Sequence, residues 1–138
     1  MRTLANAALA TCLAAGLSGG AVGSVNAADA LIGPDAWRAL TTGKTLYYHK
    51  DGELYGREFY RNEEGDVVFE FPGGQCAEGR WAWAEDKYCF AFGGQLHCFS
   101  HVMRDGEIVV IGLEDGEEQT VETIADNEPL TCEEGIES

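Results

Sequence analysis

The chain has 138 residues, with 24 acidic side chains against 9 basic ones and a formal charge of −15. A surface of that sign repels nucleic acid and anionic lipid, so no nucleic-acid partner is expected. Apolar residues make up 45% of the chain, enough for one core, and past residue 27 no run is apolar and long enough to span a bilayer.

The first expected element is a secretory signal over residues 1–27. Arg2 supplies the positive start, a small-residue apolar stretch follows from Leu4 to Val22, and Val25-Asn26-Ala27 offers small residues for cleavage. Gly16, Ser18, Gly19, Gly20, Gly23 and Ser24 dilute that stretch, which favours removal over anchoring. A lipoprotein reading would use Cys12, but Thr11 fits it poorly and the apolar run continues beyond. The mature chain of about 110 residues is expected in the periplasm or medium, with no membrane span after cleavage.

Residues 28–43 read as a lead-in and one short helix. Proline is tolerated in a first helical turn, which places Pro34 there, Asp35 complements the dipole and Gly43 ends the run. Trp37 and Leu40 share one face of this helix, suited to packing over a barrel mouth.

From residue 44 the chain is punctuated by Asp51-Gly52, Glu64-Gly65, Glu85-Asp86, Gly93-Gly94, Asp105-Gly106 and Asp115-Gly116. Pairs of this kind suit two-residue hairpin loops that need positive φ. The intervening runs have strand length and composition: 44–49, 53–60, 67–71, 79–84, 87–92, 95–103, 107–113 and 118–124. The expected fold is all-β: an up-and-down antiparallel meander of about eight strands over 44–125, closed as a small lipocalin-like barrel. An acidic tail, 126–138, follows and is expected to be loose outside Cys132.

A turn at Glu85-Asp86 sets Trp83 opposite Tyr88 and Trp81 opposite Phe90, and the next turn sets Phe90 beside His97. One face then collects Trp81, Trp83, Tyr88, Phe90, Phe92, Phe99, Met103, Ile108 and Val110. The other carries Ala82, Ala91, Ser100, Glu118, Thr120 and Glu122, and the charged last strand marks it as wet. The aromatic face is therefore expected inside, with Trp81, Trp83, Phe90 and Phe92 as the wall of a ligand site. The first hairpin alternates too poorly for its faces to be assigned.

Four cysteines remain after export, and an oxidising compartment favours two disulfides. The same register places Cys89 opposite Cys98, leaving Cys76 for Cys132, although a Cys76 to Cys89 link is equally compatible with the sequence. Zinc would need paired short spacings that are lacking here. His97 and His101 are four apart on a strand, roughly 13 Å, too far to share an ion without a sharp bend; His49 could join one of them, but nothing requires it. The glycine-flanked Cys76 has no reason to stay reduced as a nucleophile, and Ser100 has no nucleophile elbow. The acidic turns lack the calcium-loop pattern, and their solvation accounts for the carboxylates a glycosidase would need. No catalytic residue, metal or cofactor is expected.

The segments Thr42-Gly43-Lys44-Thr45-Leu46, Tyr55-Gly56-Arg57-Glu58-Phe59-Tyr60, Cys76-Ala77-Glu78-Gly79-Arg80-Trp81 and Tyr88-Cys89-Phe90 span about half of the mature chain. In them the chain resembles a group of small exported alphaproteobacterial proteins of uncharacterised activity. In that group tryptophan usually follows the third cysteine, where this chain has Phe99. The resemblance implies an exported β fold and carries over no functional residue.

Two roles remain. One is a small exported barrel that binds an unknown apolar or amphipathic molecule. The alternative is an acidic inhibitor or docking partner of a cationic envelope or secreted protein, such as a lysozyme or protease, guided by long-range attraction.

Overall fold

The computed structural model describes residues 28–132 and the strand at 136–137; the expected signal segment, Cys12 included, lies outside the described residues. Strand β1 (Ala30–Leu31) and helix α1 (Pro34–Thr41) precede eight hairpin-linked strands. These are β2 (Lys44–Lys50), β3 (Glu53–Tyr60), β4 (Asp66–Glu70), β5 (Cys76–Ala84), β6 (Lys87–Phe92), β7 (Gln95–Arg104), β8 (Glu107–Gly112) and β9 (Glu118–Asp126). Each pairs antiparallel with the next, and β9 pairs with β2, so the ribbon closes into an eight-stranded, lipocalin-like barrel. Closure leaves no free edge among these eight strands.

The turns follow their residues. Both central residues have positive φ at Asp51-Gly52, Glu85-Asp86 and Asp105-Gly106, the conformation that a tight hairpin with the twist of its strands requires. The resulting register pairs Trp83 with Tyr88, Trp81 with Phe90, Phe90 with His97 and Cys89 with Cys98, as the spacing predicts. Strand β5 starts three residues earlier than expected because Cys76, Ala77 and Glu78 pair with β4. The unassignable first hairpin has a physical cause. Strand β2 meets a register shift on each side, between Tyr48 and His49 against β3 and between Tyr47 and Tyr48 against β9. Each bulge resets the inward and outward alternation that sequence periodicity needs.

The aromatic face is the interior. Leu46, Tyr48, Tyr60, Val67, Trp81, Tyr88, Phe90 and Val110 form one buried cluster with Trp37 of α1. The helix closes the end of the barrel where the β3–β4, β5–β6 and β7–β8 turns lie. Trp37 is fully buried, with its ring centroid 5.9 Å from Tyr60, 5.8 Å from Tyr88 and 4.2 Å from His101. The Thr41 hydroxyl donates to the Trp37 carbonyl at 2.8 Å, and the Tyr88 hydroxyl donates to Ile32 O at 2.5 Å, tying the lead-in to the same end.

Among the described residues two disulfides form, Cys89–Cys98 across one hairpin and Cys76–Cys132 over a separation of 56 residues. The tail is held more firmly than expected. Glu70 Oε2 accepts from Thr131 N at 2.6 Å, Thr131 Oγ1 at 2.7 Å and Cys132 N at 3.3 Å, and β10 (Ile136–Glu137) pairs parallel with β5. No helix among the described residues is long and apolar enough to cross a membrane, and the two disulfides fit an oxidising compartment.

Trp37→Ala should lower unfolding free energy by about 3 to 5 kcal/mol in urea titrations, the usual cost of emptying a buried indole site; a loss under about 1 kcal/mol would show that α1 does not close the barrel. Removing Cys76–Cys132 by paired serine substitution should cost about 4 kcal/mol against about 3 for Cys89–Cys98, because the longer loop regains more chain entropy. Equal losses for the two pairs would contradict that ranking.

Candidate functional site: a one-ended barrel cavity

The end opposite α1 is not filled. A cavity of about 340 Å³ opens there between the β2–β3, β4–β5, β6–β7 and β8–β9 turns. Its wall is aromatic, with Tyr55, Phe69, Phe71, Phe90, Phe92 and Phe99 contributed by β3, β4, β6, β7 and the loop after β4. Small residues make room for these rings. A Cβ on Gly79 would lie 2.5 Å from the Phe92 ring, and one on Gly56 would overlap Phe69. Phe90 and Phe92 stack in parallel at 6.5 Å, and Phe99 meets Phe90 edge-on at 5.8 Å.

Polar groups collect deeper in. The Tyr48 hydroxyl donates to Glu58 Oε1 at 2.8 Å, and Tyr60 lies 3.1 Å from the same hydroxyl, where it can donate in turn. Tyr48 and Glu58 line the cavity, and all three side chains are buried. Burial raises the Glu58 carboxyl to about 7, against hydrogen bonds from Tyr60 and Tyr48 that favour its charged form. Burial likewise pushes the Tyr48 and Tyr60 phenols well above their ordinary range. His101 also lines the cavity, 1% exposed and stacked on Tyr88 at 3.9 Å. Desolvation lowers it to about 3, so the imidazole is neutral, and its Nδ1 has no hydrogen-bond partner.

The mouth is acidic. Glu114, Asp115 and Glu117 of the β8–β9 turn lie on the rim with Gln95 and His97. Lys50 Nζ reaches Glu117 at 2.5 Å, and Asp115 Oδ1 accepts from Glu117 N at 2.9 Å, which braces the turn.

Of the expected wall, Phe90 and Phe92 line the cavity, whereas Trp81 and Trp83 do not. The correction concerns height along the barrel, since the inward face is right. Strand β5 runs from the open end to the closed one, and Trp81, five residues after Cys76, has reached the level of α1. There the Arg38 guanidinium lies 5.0 Å above its ring and Tyr88 lies 5.6 Å away. Trp83, at the closed rim, is 38% exposed. Glu58, Tyr48, Tyr60, Phe69 and Phe99 were not singled out from the sequence as site residues. The one available signal was the alternation of Gly56, Glu58 and Tyr60 on β3, which places an acid on the face carrying a buried phenol.

The three histidines are distributed differently: His101 is buried, His97 exposed and His49 half-buried beside Glu122 at 3.6 Å. Among the described residues the one group of three potential metal ligands is Glu70, Cys76 and Cys132. Its two sulfurs are joined to each other, which removes the thiolates a metal would need. Ser100 is buried on β7, whose neighbours at that point do not form a strand-to-helix turn.

The two buried groups in the cavity titrate with opposite consequences. Folded chains keep the Glu58 proton up to about pH 7 while unfolded chains lose it near 4.5, so the stability carried by neutral Glu58 falls as pH rises through that window. His101 acts inversely, its contribution declining as pH falls from 6.5 towards about 3. Glu58→Gln removes only the first slope. Relative to the unaltered chain, its stability should improve by about 3 kcal/mol between pH 4.5 and pH 8 in urea titrations; a difference independent of pH would contradict a neutral buried Glu58.

Comparison with protein-family models, curated proteins and solved structures finds no match to this chain.

Proposed function

We propose that this chain is an exported binding protein that carries a small amphipathic molecule in the open half of its barrel. The observation that supports this most directly is the cavity itself. Eight-stranded barrels can fill their interiors with their own side chains, yet here one end is solid and the other holds about 340 Å³ of space. That volume falls near the lower end of the range of about 300 to 1,000 Å³ for small-molecule sites. An aromatic wall with a few buried polar groups at depth is the usual composition of such a site, the wall giving contact area and the polar groups fixing orientation. Export to the periplasm or medium after cleavage near residue 27 fits the two disulfides and the acidic surface.

The test uses neutral aromatic probes. Titration with N-phenyl-1-naphthylamine, and with indole or naphthalene in competition, should give saturable one-to-one binding. Val110→Phe, which places extra volume on the cavity lining, should weaken that binding at least tenfold while the chain stays folded by circular dichroism. Absence of saturable binding by all three probes, with no adduct in the native mass of protein taken from its own envelope, would end this reading.

A further inference from the structure

The charge arrangement of the cavity narrows the class of ligand. Among the described residues the carboxylates lining it are Glu58 at depth and Glu114, Asp115 and Glu117 at the mouth, and no lysine or arginine lines it. The nearest ammonium named at the rim, Lys50, is committed to Glu117. A ligand entering headfirst therefore crosses an acidic rim, passes aromatic rings, and ends against an acid that is 4% exposed.

We propose that the cavity binds an organic cation: an amine with an aromatic or short alkyl body, its ammonium group directed to Glu58. This rests on the binding-protein reading above and specifies its ligand. Three features support it independently of one another. A carboxylate in an apolar wall is costly unless neutralised or paired, and Arg57, the cation nearest in sequence, is committed to Glu70 at 2.6 Å. Tyr55, Phe69, Phe71, Phe90, Phe92 and Phe99 present ring faces and edges, and ring faces attract ammonium groups once water is displaced. His101, neutral and 99% withdrawn from solvent, lines the same cavity with an unpartnered Nδ1 that in one tautomer accepts a hydrogen bond from a polar head. A fatty acid or other anion would meet four carboxylates and no compensating charge. A neutral apolar molecule would use the wall and leave Glu58 and His101 as they are.

The measurement compares three probes of one shape on the unaltered chain by calorimetry at pH 7.5: tryptamine, the neutral alcohol tryptophol, and indole-3-acetate. Tryptamine should bind at least tenfold more tightly than tryptophol, and indole-3-acetate should be weakest. Glu58→Gln should reduce tryptamine affinity about tenfold or more, the worth of one charge-assisted hydrogen bond, while changing tryptophol affinity less than threefold. Tryptamine and tryptophol binding equally, or indole-3-acetate binding best, would overturn the cation assignment and leave the binding-protein reading standing. Failure of all three, together with the naphthalene-type probes, would remove both. If tryptamine is preferred but Glu58→Gln leaves it unaffected, the assignment to Glu58 fails and the acidic rim is the source of the preference; should that variant not fold, the three-probe comparison on the unaltered chain still decides the charge of the ligand.

Discussion

Trp37 stands among the rings of Tyr60, Tyr88 and His101, and this stack decides which half of the barrel is solid. A closed ring of eight strands has an interior that its own side chains can fill. Here a helix of eight residues delivers one indole into one end, and Trp81, Tyr88 and Ile32 complete the seal. Among the described residues the open end has no comparable element. Its rings come from the strands themselves and line a cavity between them, with Gly79 and Gly56 accommodating Phe92 and Phe69. Cavity and plug are thus two consequences of one packing arrangement.

Two buried glutamates show how the same side chain is handled in opposite ways. Glu70 is buried on the outer side of the barrel. Burial acts to raise its carboxyl, but Thr131, Arg57 and the backbone of Thr131 and Cys132 outweigh this and hold it below the ordinary range. It is charged, paired, and structural: it clamps the tail where the Cys76–Cys132 disulfide also holds it. Glu58, two positions from Tyr60 on the inner face of β3, receives phenol hydrogen bonds but no cation, so desolvation dominates. Position relative to the barrel wall, and not residue type, separates an anchoring, charged acid from one on the cavity wall whose carboxyl burial pushes up.

Much of the fold was legible in the sequence because hairpin chemistry is local. Acidic residue and glycine pairs specify turns, turns set register, and register in a barrel sets both faces, so the pairing of Trp81 with Phe90 follows from the Glu85-Asp86 turn and that of Cys89 with Cys98 from the Gly93-Gly94 turn. The candidate wall was only half legible. Period-two alternation states which face a residue takes but not its height along the barrel axis, and Trp81 and Phe90 share a face while Trp81 reaches the plugged half and Phe90 the cavity. The first hairpin was illegible because bulges on both sides of β2 break the alternation, and that hairpin carries Tyr48, Tyr55 and Glu58.

By itself, then, the amino-acid order determined the strands, the turns, the inward aromatic face and a register that brings two cysteines together, since each depends on backbone preferences and side-chain periodicity within a few residues. Tertiary structure alone decided that the end under α1 is packed solid and the opposite end is not, that Glu70 fastens the tail, and that Glu58 and His101 line the cavity. Those outcomes depend on which groups lose their water when distant segments meet, and desolvation is a property of the assembled barrel and not of any stretch of chain.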